Sequence, residues 1–133
     1  MIFLDANVIL RFILDDNPIF SPKARSIFET INSGRVKVFI SAMAAFEVVF
    51  TLERTYSLSK SIIAQKFLSI LKLENVRSDK PNVLEQALGF YEEKNVSFAD
   101  AYQTALVLKK KVKKIYSFDS HFDRFPHISR IGE

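Results

Sequence analysis

Short apolar runs and longer amphipathic segments alternate along the chain. Ile2 to Leu4 form an apolar run that predicts a strand, and residues 6–14 carry apolar side chains at helical spacing. Similar patterns predict strands at residues 36–40, 75–77, 114–118 and 128–131, and helices at residues 42–56, 60–73, 81–94 and 98–111. This alternation predicts an α/β fold, a three-layer α/β/α sandwich with a central, mostly parallel sheet.

Serine residues mark the start of several predicted helices, because a hydroxyl there accepts a hydrogen bond from an unpaired backbone amide. The predicted caps are Ser21, Ser41, Ser59 and Ser97. At Ser21 the following Pro22 strengthens the signal, and Gly34 closes that helix. Residues 119–125 are predicted to form a short helical turn.

The composition fits one folded domain. The chain has 133 residues, and a hydrophobic content of 48% excludes a disordered chain. The apolar stretches are too short to span a bilayer, the first residues lack the basic segment of a signal peptide, and cysteine is absent. We therefore expect a single domain over residues 1–133, located in the cytoplasm and without a membrane partner.

Four acidic residues adjoin apolar segments far apart in the chain. Asp5 follows the first predicted strand, and Glu47 lies inside an apolar helix. Asp100 lies in the first turn of a late helix, and Asp119 follows the strand at 114–118. Right-handed connections bring the carboxyl ends of parallel strands and the following helix starts to the same rim of a sheet. We therefore predict that these four carboxylates meet.

Four neighbouring carboxylates need a compensating positive charge. Two carboxylates about 5 Å apart repel each other by roughly 3 kcal/mol at an effective dielectric constant of about 20. With no cysteine and two histidines, a zinc cage of thiolates and imidazoles is not expected. Oxygen ligands suit Mg²⁺ or Mn²⁺ instead, so we predict a site for one of these ions.

The order and placement of these acids resemble a PIN domain over nearly the whole chain. The matching segments are Asp5-Ala6-Asn7, Glu47, Phe98-Ala99-Asp100-Ala101 and Ser117-Phe118-Asp119. A chain of this length is similar to the VapC-type ribonuclease toxins of toxin–antitoxin pairs. The resemblance implies a Mg²⁺- or Mn²⁺-dependent endoribonuclease that acts on tRNA or rRNA, forms a homodimer and is held inactive by a small antitoxin protein.

The resemblance also implies roles for individual acids. Asp5 and Asp100 would be the main metal ligands, and Glu47 would bind a second metal or orient and deprotonate the attacking water. Asp119 would complete the metal site. Asp123 is an alternative fourth acid, being four residues further along, and we favour Asp119.

Two polar residues are predicted to support the acids. Asn7 stands two residues after Asp5, and Ser117 stands two residues before Asp119. Hydrogen bonds from such neighbours orient the side chains that ligate a metal.

Aromatic and histidine residues near the end of the chain have a plainer interpretation. Phe118, Phe122 and Phe125 are expected in the core rather than stacked on bases. His121 and His127 have no partner motif, so the sequence assigns them no catalytic role.

Basic and apolar surfaces suggest partners. The net charge is +4, and the lysines at 109–111, 113 and 114 fit either RNA-backbone binding or an ordinary basic helix end. The predicted helices 42–56 and 60–73 carry more apolar surface than one sheet face needs, which favours them as the region that binds a partner.

Two other functions stay open on the sequence. One is a catalytically silent PIN module that binds RNA or protein. The other is a phosphatase with an aspartyl nucleophile at Asp5. Such phosphatases usually carry a second acid where Asn7 stands, which argues against that alternative.

Overall fold

The computed structural model describes residues 1–132, which divide into two compact units. The first unit comprises Met1–Pro81, and the second begins at Asn82. Each unit has its own parallel sheet. The expectation of a single domain over the whole chain stays a prediction.

The first unit contains a three-stranded sheet and four helices. The strands are β1 (Ile2–Phe3), β2 (Val38–Ile40) and β3 (Val76–Ser78), and the helices are α1 (Ala6–Leu14), α2 (Phe20–Asn32), α3 (Ala42–Arg54) and α4 (Lys60–Leu71). The strand order is β1-β2-β3 with both pairs parallel, so β2 is the central strand. Val38 and Ile40 of β2 are buried, as a central strand of apolar residues requires.

The helix starts of this unit follow local hydrogen-bonding chemistry. Ser41 accepts a hydrogen bond from the amide of Ala44 and begins α3, and Ser59 accepts one from Ile62 and begins α4. Both predicted caps are therefore confirmed. Each serine thus pairs one of the first amides of its helix through a local contact.

The predicted cap of α2 is wrong. The side-chain oxygen of Asn17, rather than Ser21, accepts hydrogen bonds from the amides of Ile19 and Phe20, at 3.0 and 2.8 Å. Ser21 is buried, and its hydroxyl donates to the carbonyl of Arg11 at 2.8 Å. The helix therefore begins earlier than predicted, because an asparagine closes the preceding turn and the serine hydroxyl is used to join α2 to α1.

The second unit carries two helices, a two-stranded sheet and a short turn of 3-10 helix. The helices are α5 (Pro81–Lys94), which begins at the last residue of the first unit, and α6 (Phe98–Lys109); the strands are β4 (Lys114–Tyr116) and β5 (Ser129–Ile131), and the 3-10 helix spans Ser120–Arg124. The two strands are parallel, with Lys114 opposite Ser129. Tyr91 of α5 is buried and meets Phe98 edge to face, with ring centroids 6.0 Å apart.

The elements match the predicted order, and the differences lie at their ends. The strands are shorter than predicted at 36–40 and 114–118, since β2 begins at Val38 and β4 ends at Tyr116. Parallel strands separated by helices confirm the predicted α/β class. None of the helices within residues 1–132 combines the length and apolarity needed to cross a bilayer.

Candidate functional site

Two of the predicted acids meet in the second unit, together with a histidine. Asp100, Asp119 and His121 each direct one potential ligand atom to a common place, where these atoms lie within 4.8 Å of one another. Within residues 1–132, these three side chains form the group of acids and histidine whose ligand atoms lie close enough together to hold a metal ion. Asp100 and Asp119 were predicted from the sequence, whereas His121 was not.

Asp100 is positioned by the start of α6. Ser97 precedes the helix, and its hydroxyl accepts a hydrogen bond from the Asp100 amide at 3.1 Å. The carboxylate therefore stands in the first turn, next to the positive end of the helix dipole. Its side chain is only 16% exposed, so the charged form is partly removed from water.

Asp119 is positioned by the turn between β4 and the 3-10 helix. Its amide donates to the hydroxyl of Ser117 at 3.0 Å, and its carboxylate accepts from the amide of His121 at 2.9 Å. These two bonds fix the backbone on both sides of the acid. The side chain is 40% exposed, which keeps the site open to solvent.

The two carboxylates are electrostatically coupled. Burial raises the pKa of Asp100, and the hydrogen bond with Asp119 and its negative charge raise that pKa further. The pKa of Asp119 is lowered, first by the amide of His121 and then by the hydrogen bond with Asp100. The pair therefore holds a proton more readily than two separate aspartates would, and a cation between the two carboxylates would take the proton's place.

Asp5 and Glu47 lie in the first unit. Asp5 is the N-cap of α1, and its Oδ2 accepts a hydrogen bond from the amide of Asn7 at 3.4 Å. Glu47 projects from α3 and is exposed, although the next two residues, Val48 and Val49, are buried. Both acids are thus accessible on well-formed helices.

The predicted supporting residues act mainly through the backbone. The amide of Asn7 contacts the Asp5 carboxylate, while the residue also lines a cavity of about 510 Å³ together with Arg11 and Phe20. The hydroxyl of Ser117 accepts from the Asp119 amide. Each residue therefore fixes the turn that carries an acid.

Asp123 has a different partner. Its carboxylate accepts two hydrogen bonds from Arg130, from Nε to Oδ1 at 3.0 Å and from Nη2 to Oδ2 at 3.1 Å. This contact lowers the pKa of Asp123. A carboxylate paired in this way already has its counter-charge.

The expectation for the late phenylalanines is partly wrong. Phe122 and Phe125 are buried as predicted, but Phe118 is 87% exposed. Phe118 lies beyond the last residue of β4, just before Asp119, so the turn that presents the acid also turns this ring outward.

The sequence contained one signal that would have identified His121. In an Asp-x-His segment at a helix start, the aspartate can accept the amide of the second residue after it, which brings the histidine side chain close to the carboxylate. The imidazole Nδ1 indeed lies 3.0 Å from Oδ1 of Asp119 and 3.9 Å from Oδ2 of Asp100.

Comparison with known proteins identifies the family. The family model described as PIN domain matches residues 2–128. The chain belongs to the PIN domain family. The match includes all four predicted acids, and it confirms both the resemblance and the PIN-type α/β fold inferred from the sequence.

The individual PIN proteins that the chain resembles share little of its sequence. The chain is 24% identical over 127 residues to the VapC ribonuclease of Aquifex aeolicus (strain VF5), a match that covers 93% of this chain and 91% of that protein. Its likeness to the crystal structure of Mycobacterium tuberculosis VapC20, a Sarcin-Ricin loop cleaving toxin, has a TM-score of 0.46 at 20% identity and covers 92% of this chain and 93% of VapC20. The family assignment therefore rests on the PIN domain model.

Proposed function

We propose that this PIN domain is a metal-dependent endoribonuclease that hydrolyses RNA phosphodiester bonds and acts as the toxin of a toxin–antitoxin pair. The observation that carries the proposal is that Asp100 and Asp119 stand side by side, at a place that Asp119 and His121 leave open to solvent, in a chain of this family. The similarity to a VapC ribonuclease supports RNA as the substrate.

The side chains of the site fit a divalent cation. The pKa of Asp100 is raised first by the burial of its own carboxylate and then by the neighbouring Asp119, and a divalent ion would compensate the charge of both acids. Carboxylate oxygens are ligands that Mg²⁺ and Mn²⁺ accept. When bound, such an ion lowers the pKa of water and stabilises negative charge on a phosphate.

Each acidic residue of the site would then have its own role. Asp100 and Asp119 hold the cation, and Ser97 and Ser117 keep their backbones in place. We assign Asp5 to the metal ligands as well. We assign Glu47 to a second metal or to accepting a proton from the attacking water.

Asp119 is preferred over Asp123 as the fourth acid. Asp119 lies beside Asp100 and His121, whereas the carboxylate of Asp123 is paired with Arg130. An acid that is already paired with a guanidinium gains less from a divalent ion.

Exposed aromatic and basic side chains fit an RNA substrate. Phe118 and Tyr116 are 87% and 85% exposed, and lysines follow one another around the end of α6. Base stacking on an exposed ring and attraction of the phosphate backbone to lysine are the usual means of binding single-stranded RNA. We propose tRNA or rRNA as the RNA class and the cytoplasm as the location.

The exposed face of α3 fits a protein partner. Met43 and Phe50 are 73% and 61% exposed on that helix, and the spacing Met43, Glu47, Phe50 places all three on one face. We propose that a small antitoxin covers this face, so that it shields Glu47 directly, and that the toxin itself is a homodimer.

Cleavage of total tRNA and rRNA tests the proposal. The wild-type protein should cut RNA with Mg²⁺ or Mn²⁺ and stop when EDTA is added, and Asp100→Asn should be folded but inactive. RNA binding without any metal-dependent cleavage would instead favour a silent PIN module. Cleavage by the Asp100→Asn variant at the wild-type rate would overturn the assigned site.

A further inference from the structure

The imidazole of His121 faces the same place as the two coupled carboxylates. Its Nδ1, rather than its Nε2, is the nitrogen on the acidic side, 3.0 Å from Oδ1 of Asp119 and 3.9 Å from Oδ2 of Asp100. The side chain is 50% exposed, so the ring is at the mouth of the site and not in the core.

These separations match those between ligands of one metal ion. In an octahedral site with bonds of about 2.1 Å, neighbouring ligand atoms lie about 3.0 Å apart and opposite ones about 4.2 Å apart. The two nitrogen–oxygen distances fall at and between these values. With all three ligand atoms within 4.8 Å of one another, one nitrogen and two oxygens are placed to bind one ion, and the exposed side leaves room for water.

The backbone holds His121 in this position. Asp119 is the N-cap of the 3-10 helix, and its carboxylate accepts the amide of His121 at 2.9 Å. The same aspartate thus anchors the histidine and stands beside its ring. A ligand fixed by its own neighbour loses little conformational entropy when a metal binds.

We propose that His121 ligates the metal of this site through Nδ1 and gives the site a preference for Mn²⁺ over Mg²⁺. The inference rests on the metal dependence in the proposed function. Two carboxylates alone serve either ion, whereas an imidazole nitrogen favours a transition metal, and Mn²⁺ is the one of the two that accepts it. Removing the nitrogen should lower the affinity for Mn²⁺ on the order of tenfold and leave that for Mg²⁺ nearly unchanged.

The chain allows a sharp test because it contains only two histidines. The tag-free protein is loaded with Mn²⁺, and electron spin-echo spectroscopy measures coupling between the ion and a ligating ¹⁴N nucleus. The His127→Gln variant serves as the matched control, since His121 is then the sole histidine. The coupling should appear in the wild type and in His127→Gln, convert to ¹⁵N coupling when His127→Gln is labelled with [¹⁵N]histidine, and vanish in His121→Gln.

The outcomes separate the inference from the proposed function. Bound Mn²⁺ without nitrogen coupling, together with metal-dependent RNA cleavage, would overturn the role of His121 alone and leave it as an ion-pair partner of Asp119. Coupling that persists in His121→Gln, or an unchanged ratio of Mn²⁺ to Mg²⁺ affinity in that variant, would also overturn it. A wild-type protein that neither binds Mn²⁺ nor cleaves RNA would overturn both. The labelled His127→Gln protein decides the question even if His121→Gln fails to fold.

Discussion

Arg130 donates two parallel hydrogen bonds to the carboxylate of Asp123, from Nε to Oδ1 at 3.0 Å and from Nη2 to Oδ2 at 3.1 Å. The same guanidinium also donates to the carbonyls of Ser117 and Gly132. Arg130 therefore joins β5, the 3-10 helix and the turn before Asp119. Such a planar, two-point contact is specific to arginine.

The pairing of Asp123 with Arg130 predicts that substitutions of Asp119 and of Asp123 affect RNA cleavage differently. Asp119→Asn should lower RNA cleavage by at least about a hundredfold, because it removes a charge that the cation needs. Asp123→Asn should cleave at close to the wild-type rate. Single-turnover cleavage at saturating Mn²⁺ measures both, and a larger loss in Asp123→Asn would make Asp123 the fourth acid.

The raised pKa of Asp100 predicts a pH-dependent difference in stability. A carboxyl whose pKa is raised by folding contributes stability below its unfolded pKa of about 3.9, and this contribution is lost as the pH rises through the folded value. In EDTA, Asp100→Asn should therefore match the wild type near pH 4 and be the more stable protein at pH 7. Urea unfolding at both values measures the difference, and equal stability at pH 7 would contradict the assigned desolvation.

A divalent cation should make the wild type the more stable protein, and so reverse the order of stability expected in EDTA at pH 7. An ion present at 100 times its dissociation constant stabilises the folded state by about 2.7 kcal/mol. Mn²⁺ should accordingly raise the melting temperature of the wild type and leave that of Asp100→Asn nearly unchanged. Thermal unfolding with and without Mn²⁺ tests this, and an equal rise in the variant would show that the ion binds elsewhere.

The cap formed by Asp5 and its proposed role as a metal ligand can be tested separately. Its carboxylate caps α1, and asparagine caps a helix about as well as aspartate does. Asp5→Asn should keep the unfolding free energy and lose cleavage, whereas Asp5→Ala should lose cleavage and also about 1 kcal/mol of stability. Circular dichroism with urea and the RNA assay give both quantities; an active Asp5→Asn protein would exclude the residue from the site.

Alanine substitutions at Gly132 and at Gly89 should have opposite effects on the free energy of unfolding. Gly132 has φ of 135°, and a Cβ there would lie 2.5 Å from the carbonyl oxygen of Ser117, so Gly132→Ala should cost about 1–3 kcal/mol. Gly89 lies in α5 with open space around a new Cβ, so Gly89→Ala should stabilise by about 0.5–1 kcal/mol. Urea unfolding compares the two variants, and similar values would contradict the close approach at Gly132.

The fold was predictable from the sequence where local chemistry decides it. Ser41, Ser59 and Ser97 cap the helices that they were predicted to cap, because a serine hydroxyl next to a helical pattern has few competing partners. The prediction that Ser21 caps α2 was wrong because its hydroxyl donates to the carbonyl of Arg11, a contact that depends on the packing of α1 against α2. A tertiary partner of this kind leaves no pattern in the sequence.

The site was predictable as a set of residue types and less so as a set of contacts. The apolar surroundings of Asp100 and Asp119 indicated acids with a special purpose, and the structure pairs these two. The position of His121 beside these two acids was missed because a histidine without a partner motif looks like a surface residue. The pairing of Asp123 with Arg130 depends on β5 returning beside β4, which the spacing alone does not fix.

Strand β5 supports the turn that carries Asp119. The carbonyl of Ser117 accepts from Arg130, and the amide of Ser117 donates to the carbonyl of Ile131. Loss of these two hydrogen bonds would therefore free the turn that carries Asp119 without altering any of the acids.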